Sequence, residues 1–134
     1  MLVVDASVVA SAIGFDGPMA TASRLIMAEN DIAAPDLMRI EALSVLRRRL
    51  LSGHLTSESA EAALADLLDL SVDEFPNAML LERTWELRDN MSTYDACYVA
   101  LAEALRCPLA TADKRLVNAP GAACEFVVVG SSAT

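Results

Sequence analysis

Short runs of consecutive apolar residues recur along this chain, each too brief for a helix and each parted from the next by a helical pattern. "LVVDA" at Leu2–Ala6, "DIAAP" at 31–35, "LSVDEF" at 70–75, "PLAT" at 108–111 and "EFVVV" at 125–129 are these runs. A strand with one wet face alternates apolar and polar residues, whereas a continuous apolar run suits a strand covered on both faces. Strands of this kind alternating with helices predict an α/β fold built on a parallel sheet with helices on both sides. Right-handed crossovers then gather the C-terminal ends of the strands on one edge, where such folds carry their sites.

The helical segments have their own punctuation. A short helix is expected from Ser7 to Ile13, ended by "FDGP", and Pro18 suits the first turn of a second helix running to about Glu29. Asp36 is placed to cap a long third helix to about Ser52, with Gly53 beyond it. A fourth begins at Thr56 and runs through Leu68, a fifth spans Asn77–Asn90, a sixth Thr93–Leu105, and Asp113–Val117 makes a helical turn. No repeat or linker interrupts the 134 residues, so a single domain over 1–134 is expected.

Hydrophobic residues make up 54% of the chain but aromatics only 4%, so the core must be Ala, Leu, Val and Met, with apolar surface left for a partner. The formal charge of −9 argues, taken alone, against nucleic acid, because phosphate binding needs positive potential. It also makes a basic peptide a plausible partner. Cys97, Cys107 and Cys124 are odd in number and lack C-x-x-C spacing, which disfavours a disulfide framework or a zinc site. The N-terminus lacks a basic stretch and carries Asp5 inside its apolar run, and no segment of about 18 apolar residues is present. The expectation is a soluble cytoplasmic protein that makes no use of a membrane.

Four carboxylates stand out against this apolar background. Asp5 ends the first strand, Asp113 follows the fourth by two residues, Asp95 lies in the first turn of the buried sixth helix, and Glu41 sits in the third. At 100° per residue, Leu37, Met38, Ile40, Leu43, Val45, Leu46 and Leu50 spread around the third helix, so it is expected to be covered on more than one side. Glu41, Ser44 and Arg48 form the narrow polar stripe between them. Each acid also has a local explanation. Asp5 can cap the following helix, Asp95 can complete a box with Ser92, Asp113 can cap the turn after it, and Glu41 can pair with Arg48. Together, crowded carboxylates repel one another unless a cation joins them. An oxygen-only donor set suits Mg2+ or Mn2+ better than zinc.

"VVDAS", "APDLMRIEALSVLRR", "TYDACYVALAEAL" and "PLATADKRL" resemble, in order and spacing, the PIN-domain ribonucleases, and among them the VapC-type toxins of toxin–antitoxin pairs. Each motif is weak alone; the ordered set covers nearly the whole chain. The resemblance implies a three-layer α/β/α sandwich around a mostly parallel sheet. It implies that Asp5, Glu41, Asp95 and Asp113 converge as metal ligands for hydrolysis of RNA phosphodiester bonds, supported by Ser7, Thr111 and Asn90. A cognate VapB-type antitoxin and a homodimer are implied as well.

Arg48, on the Glu41 stripe, and Lys114 and Arg115, directly after Asp113, are candidate contacts for RNA phosphate. Arg47, Arg48 and Arg49 point 100° apart and cannot form one flat patch. His54 is the sole histidine, which excludes a metal-free ribonuclease that uses two histidines as acid and base. An aspartyl phosphohydrolase would usually show Asp-x-Asp after the first strand, where Ser7 stands instead. A receiver domain would carry a lysine near the last strand, and "EFVVVG" has none. A non-catalytic RNA- or protein-binding module of the same fold is the remaining alternative.

Overall fold

Leu2, Val3 and Val4 are all buried, as are Ile32, Ala33, Ala34 and Pro35, so both faces of these strands are covered. The structure is a computed structural model that describes residues 1–130; residues 131–134 of the expected domain lie outside it. The strands β1 (Leu2–Val4), β2 (Ile32–Pro35), β3 (Asp73–Phe75), β4 (Leu109–Thr111) and β5 (Phe126–Val128) form one sheet in the order β3-β2-β1-β4-β5. Every neighbouring pair is parallel.

The helices are α1 (Ala6–Gly14), α2 (Pro18–Ala28), α3 (Met38–Leu51), α4 (Ser57–Asp69), α5 (Leu81–Glu86), α6 (Thr93–Leu105) and α7 (Lys114–Val117). The chain steps outward from β1 to β2 and β3, then returns past β1 to β4 and β5. Right-handed connections therefore put α1–α4 on one face of the sheet and α5–α7 on the other. The packing agrees: α1 gathers α2, α3 and α4, while α6 lies on β1, β2 and β4 and carries α5. This is the three-layer sandwich. Its reversal point falls between β1 and β4, the place where doubly wound sheets open a crevice.

Helix α6 explains the apolar block of the sequence. Every residue from Ala96 to Ala102 is buried, and Ala96, Ala100 and Ala102 let the helix lie close to the sheet while α5 covers its other side. The main core joins these residues to Val3, Val4, Val8, Val9, Met38, Leu67, Leu87 and Leu109.

Several element boundaries differ from expectation for local reasons. β1 stops at Val4 because Asp5 leaves the ladder to cap α1. α3 starts at Met38 with Leu37 at its N-cap, so Asp36 does not cap it. The Asp36 carboxylate instead accepts from Asn77 N (3.2 Å), and the Asn77 side-chain oxygen accepts from Leu37 N (3.2 Å). That brace makes Asn77–Leu80 a 3-10 turn, after which α5 is only six residues long and Leu87–Asn90 form turns. The single long helix expected over Asn77–Asn90 is therefore split. Coverage of α3 on more than one side is also corrected: only Met38, Ala42 and Leu46 are buried, and Ile40 and Leu51 are about 70% exposed. Leu43 and Leu50 are exposed as well, and Val45 is half-buried.

Candidate active site

Register fixes the first part of the site. Val3 pairs with Leu109 and Val4 with Ala110, so Asp5 emerges beside Thr111 at the C-terminal edge of the sheet. The Asp5 N–H still donates to Ala110 O (3.2 Å). Its carboxylate then turns over α1 and accepts from the Ser7 hydroxyl (2.5 Å) and from Val8 N (3.1 Å). Ser7 in turn accepts from Ala112 N (3.1 Å), and Thr111 Oγ1 accepts from Asp113 N (3.1 Å). One hydroxyl thus ties the end of β1 to the end of β4.

The remaining acids arrive from the two helical layers. Glu41 sits in the first turn of α3 and Asp95 in the first turn of α6. The Ser92 hydroxyl accepts from Asp95 N (3.1 Å), so Ser92 is the cap and the Asp95 carboxylate is left to face inward. Tyr98, one turn further along α6, donates its hydroxyl to Glu41 Oε1 (2.6 Å). Asp5, Glu41, Asp95 and Asp113 all line one open cleft of about 470 Å3, together with Ser7, Ser44, Arg48, Tyr94 and Tyr98. Apolar walls come from Ala6, Ile40 and Val45.

The electrostatics follow from burial and crowding. Burial pushes the Asp5 carboxyl upward; hydrogen bonds from Ser7, Thr111 and Val8 oppose it, and the charge of Asp95 adds to it. Glu41 is also raised, by burial first and by Asp5 and Asp95 second, against its bond from Tyr98. Burial raises Asp95 too, helped by Asp113. Asp113 is the exception. The Arg115 side chain and backbone N–H hold it below the usual carboxylate range. Each of Asp5, Glu41 and Asp95 is therefore destabilised as an anion by at least one of its neighbours in the cleft.

This donor set fits a hard divalent cation. The cleft offers carboxylate and hydroxyl oxygens without a thiol or imidazole, the chemistry that selects Mg2+ or Mn2+. A cation also reverses the sign of the repulsion that lifts these carboxyls. The spacing is nonetheless open: among the described residues, no three Asp, Glu, His or Cys side chains already close on one point. The bonds from Tyr98 to Glu41 and from Arg115 to Asp113 hold two of the acids to the walls. Mg2+ keeps several of its waters, so its sites need not be fully enclosed by protein.

Of the other residues singled out in the sequence, Ser7 and Arg48 line the cleft and Thr111 supports Asp5 from behind. The stripe Glu41–Ser44–Arg48 faces the cleft as a unit, yet Glu41 bonds Tyr98 and makes no ion pair with Arg48 among the described residues. Lys114 and Arg115 are exposed and outside the lining. Asn90 is also outside it, packed against Gly121, where an added Cβ would fall 2.4 Å from the Asn90 amide nitrogen. His54 is exposed beyond α3, hydrogen-bonded to Ser52 (2.8 Å). Sequence reasoning missed Tyr94 and Tyr98. Tyr98 is 2% exposed, and a buried tyrosine hydroxyl usually demands a partner. Its spacing of three from Asp95 was the available signal.

A doubly wound α/β domain with an acidic cleft at its reversal point defines the class. The PIN domain family profile matches residues 2–122, and the chain belongs to the PIN-domain family. It is 44% identical over 128 residues to Ribonuclease VapC1 of Mycobacterium tuberculosis, covering 95% of this chain and 96% of that protein. Ribonuclease VapC9 of the same organism is 44% identical over 129 residues, 96% of this chain and 98% of its own length. The crystal structure of M. tuberculosis VapC20, a sarcin-ricin loop cleaving toxin, superposes with a TM-score of 0.69 at 20% identity over 88% of this chain and 94% of that one. The toxin–antitoxin pair VapBC2 of Rickettsia felis, bound to a promoter DNA fragment, contains a chain matching at TM-score 0.67 and 14% identity, covering 96% and 98%. These two likenesses concern the fold. Among the described residues no helix is long and apolar enough to cross a membrane.

Proposed function

We propose that this chain is an endoribonuclease toxin that hydrolyses RNA phosphodiester bonds with Mg2+ or Mn2+ and is neutralised by a cognate VapB-type antitoxin in the cytoplasm. The observation that carries the reading is the meeting of Asp5, Glu41, Asp95 and Asp113, from four separate elements, in one cleft. The two mycobacterial relatives named as ribonucleases support the substrate class.

Asp5 and Asp95 are the first-choice ligands of the cation; Glu41 and Asp113 complete the set directly or through water. When bound, such an ion supplies positive charge to the phosphate and brings hydrolysis within reach near neutral pH. Asp5 is kept in place by Ser7, Val8 N and Thr111. Arg48, in the same cleft, offers a guanidinium to a phosphate oxygen, and Lys114 and Arg115 offer charge further along the strand of RNA. This disposition answers the problem of the −9 charge, because phosphate meets the cation and Arg48, not the average surface. The exposed apolar residues of α3, α4 and α5, such as Leu51, Leu68, Leu81 and Trp85, offer area for the antitoxin and for a second copy of the chain.

The test is incubation of the purified, antitoxin-free protein with total RNA in Mg2+ or in chelator, followed by mapping of new ends. Discrete new ends that need the cation and vanish in Asp95→Asn are expected. RNA that binds but stays intact in Mg2+ and in Mn2+ would leave a binding module of the same fold.

A further inference from the structure

An acidic ribonuclease has a difficulty that the four carboxylates make worse: its substrate is a polyanion. The cation and Arg48, the one arginine or lysine in the lining of the cleft, hold the phosphate they meet, but with a net charge of −9 the surrounding surface adds little grip on the rest of the strand. Grip independent of charge is needed, and stacking on an aromatic face provides it for any base.

The cleft presents such a face. Tyr94 lies in its lining, 59% exposed, directly before Asp95. Tyr94 and Tyr98 are four residues apart and so share one side of α6. Tyr98 is buried on the floor with its hydroxyl on Glu41, while Tyr94, one turn earlier, stands open at the mouth. The opposite wall repeats the arrangement. Ile40 precedes Glu41 on α3, is 70% exposed and lines the same cleft. Two exposed apolar side chains therefore flank the acids, each adjacent in sequence to one of them.

We propose that Tyr94 is a stacking platform for an unpaired RNA base next to the scissile phosphate, with Ile40 closing on that base from α3. The inference rests on the ribonuclease reading and narrows its substrate to RNA whose base at this point is free of its neighbours. A base inside an A-form duplex presents no face to Tyr94, whereas one in a loop, bulge or open strand does. Stacking also predicts tolerance of base identity at this position, because every base has a π-face.

The experiment is fluorescence anisotropy of a short labelled single-stranded RNA, and of the same strand in a duplex, in chelator so that hydrolysis is stopped. Wild type, Tyr94→Phe, Tyr94→Ala and Arg48→Ala are compared across a salt series. The expected result is tighter binding of the single strand than of the duplex. Tyr94→Phe retains that affinity and Tyr94→Ala loses about tenfold or more. Tyr94→Ala leaves the slope of log Kd against log salt unchanged, since no phosphate contact is removed, while Arg48→Ala flattens it. Exposed alanine in a first helical turn preserves the fold, checked by an unchanged thermal melt. Equal single-strand affinity for Tyr94→Ala and wild type would overturn the proposal even where wild type cleaves RNA normally. So would a Tyr94→Ala variant that keeps RNA affinity but loses its antitoxin, which would make Tyr94 part of the protein interface. A wild type that neither binds RNA nor produces new ends in Mg2+ removes the ribonuclease reading itself, and this inference with it.

Discussion

The Tyr98 hydroxyl donates to Glu41 Oε1 at 2.6 Å, joining α6 to α3 across the floor of the cleft. The two residues are 57 positions apart in sequence and come from opposite faces of the sheet. The tyrosine ring is buried and cannot follow Glu41 if that carboxylate moves, so the bond fixes one acid relative to the others. If Glu41 holds the cation as proposed, a partner of this kind contributes roughly 10–100-fold to metal affinity or activity. Tyr98→Phe keeps the ring and removes the oxygen. We expect a folded protein whose Mn2+ affinity, measured by calorimetry, and RNA cleavage both fall by roughly that factor. Unchanged Mn2+ affinity and cleavage would show that the bond serves packing alone.

Asp95→Asn separates chemistry from stability. The backbone cap of α6 is made by the Ser92 hydroxyl, not by the Asp95 side chain, so the substitution leaves it in place. It removes a charge that burial and Asp113 both disfavour. Cleavage should disappear while the melting temperature in chelator stays equal or rises. Added Mg2+ should then raise the melting temperature of wild type and leave the variant where it was. A large loss of stability in chelator would instead mark Asp95 as a structural residue.

The pH dependence has two opposing parts. Asp5, Glu41 and Asp95 have folded values above their ordinary ones, so the folded chain holds their protons more tightly than the unfolded chain does. Their contribution is fully present below the ordinary carboxylate range and is lost as pH rises through the raised values. Glu103 and Asp113 behave oppositely. Burial works to raise Glu103, but bonds from Arg83 (2.7 Å) and Ala123 N (2.7 Å) bring it below its ordinary value. Arg115 does the same for Asp113. Their contribution is present above the ordinary range and fades as pH falls through the lowered values. Melts in chelator from mild acid to neutral pH should therefore show wild type losing stability relative to a variant carrying Asp5→Asn and Asp95→Asn. On the proposed role of these acids as ligands, Mg2+ should reverse that relative loss by binding their deprotonated forms. Parallel curves for the two proteins in chelator would show that the cleft carboxyls titrate at ordinary values.

The central strands β2, β1 and β4 were legible because they are covered on both faces and so read as unbroken apolar runs; the edge strands depart from that expectation, with Asp73 and Glu74 of β3 exposed and β5 only half-covered. The acids were legible for the complementary reason: Asp5 and Asp113 follow apolar strands whose register then sets them on one edge. Elements governed by side chains distant in sequence were not. Nothing local shows that Asp36 serves Asn77 across 41 positions, and that bond holds the first residue of the 3-10 turn that replaces the start of the expected fifth helix. Periodicity likewise marked the apolar residues of α3 without showing that Ile40 and Leu51 have no cover in the single chain. Tyr98 lies in the helix expected to be buried and was not singled out there; its hydroxyl is the part that a pattern of apolar positions does not register.

Helix α6 ends at a residue that its conformation does not favour. Arg106, the C-cap, has φ 54° and ψ 46°, the left-handed region, and is the only non-glycine residue with positive φ among those described. The conformation is imposed from both sides. Arg106 N donates to Glu103 O (3.2 Å) and Cys107 N to Ala102 O (3.1 Å), which closes the helix, and Pro108 then leads directly into β4. A residue with a Cβ in this region costs roughly 1–2 kcal/mol, which glycine avoids, at the expense of more backbone entropy lost on folding. The Arg106 side chain is exposed and makes no ion pair among the described residues, so its removal forfeits little. Arg106→Gly should stabilise the protein by about 0.5–1 kcal/mol, read from urea unfolding in chelator. Arg106→Ala, which deletes the side chain but keeps the Cβ, should bring no such gain. Equal stability for the glycine and alanine variants would show that the left-handed cap carries no strain.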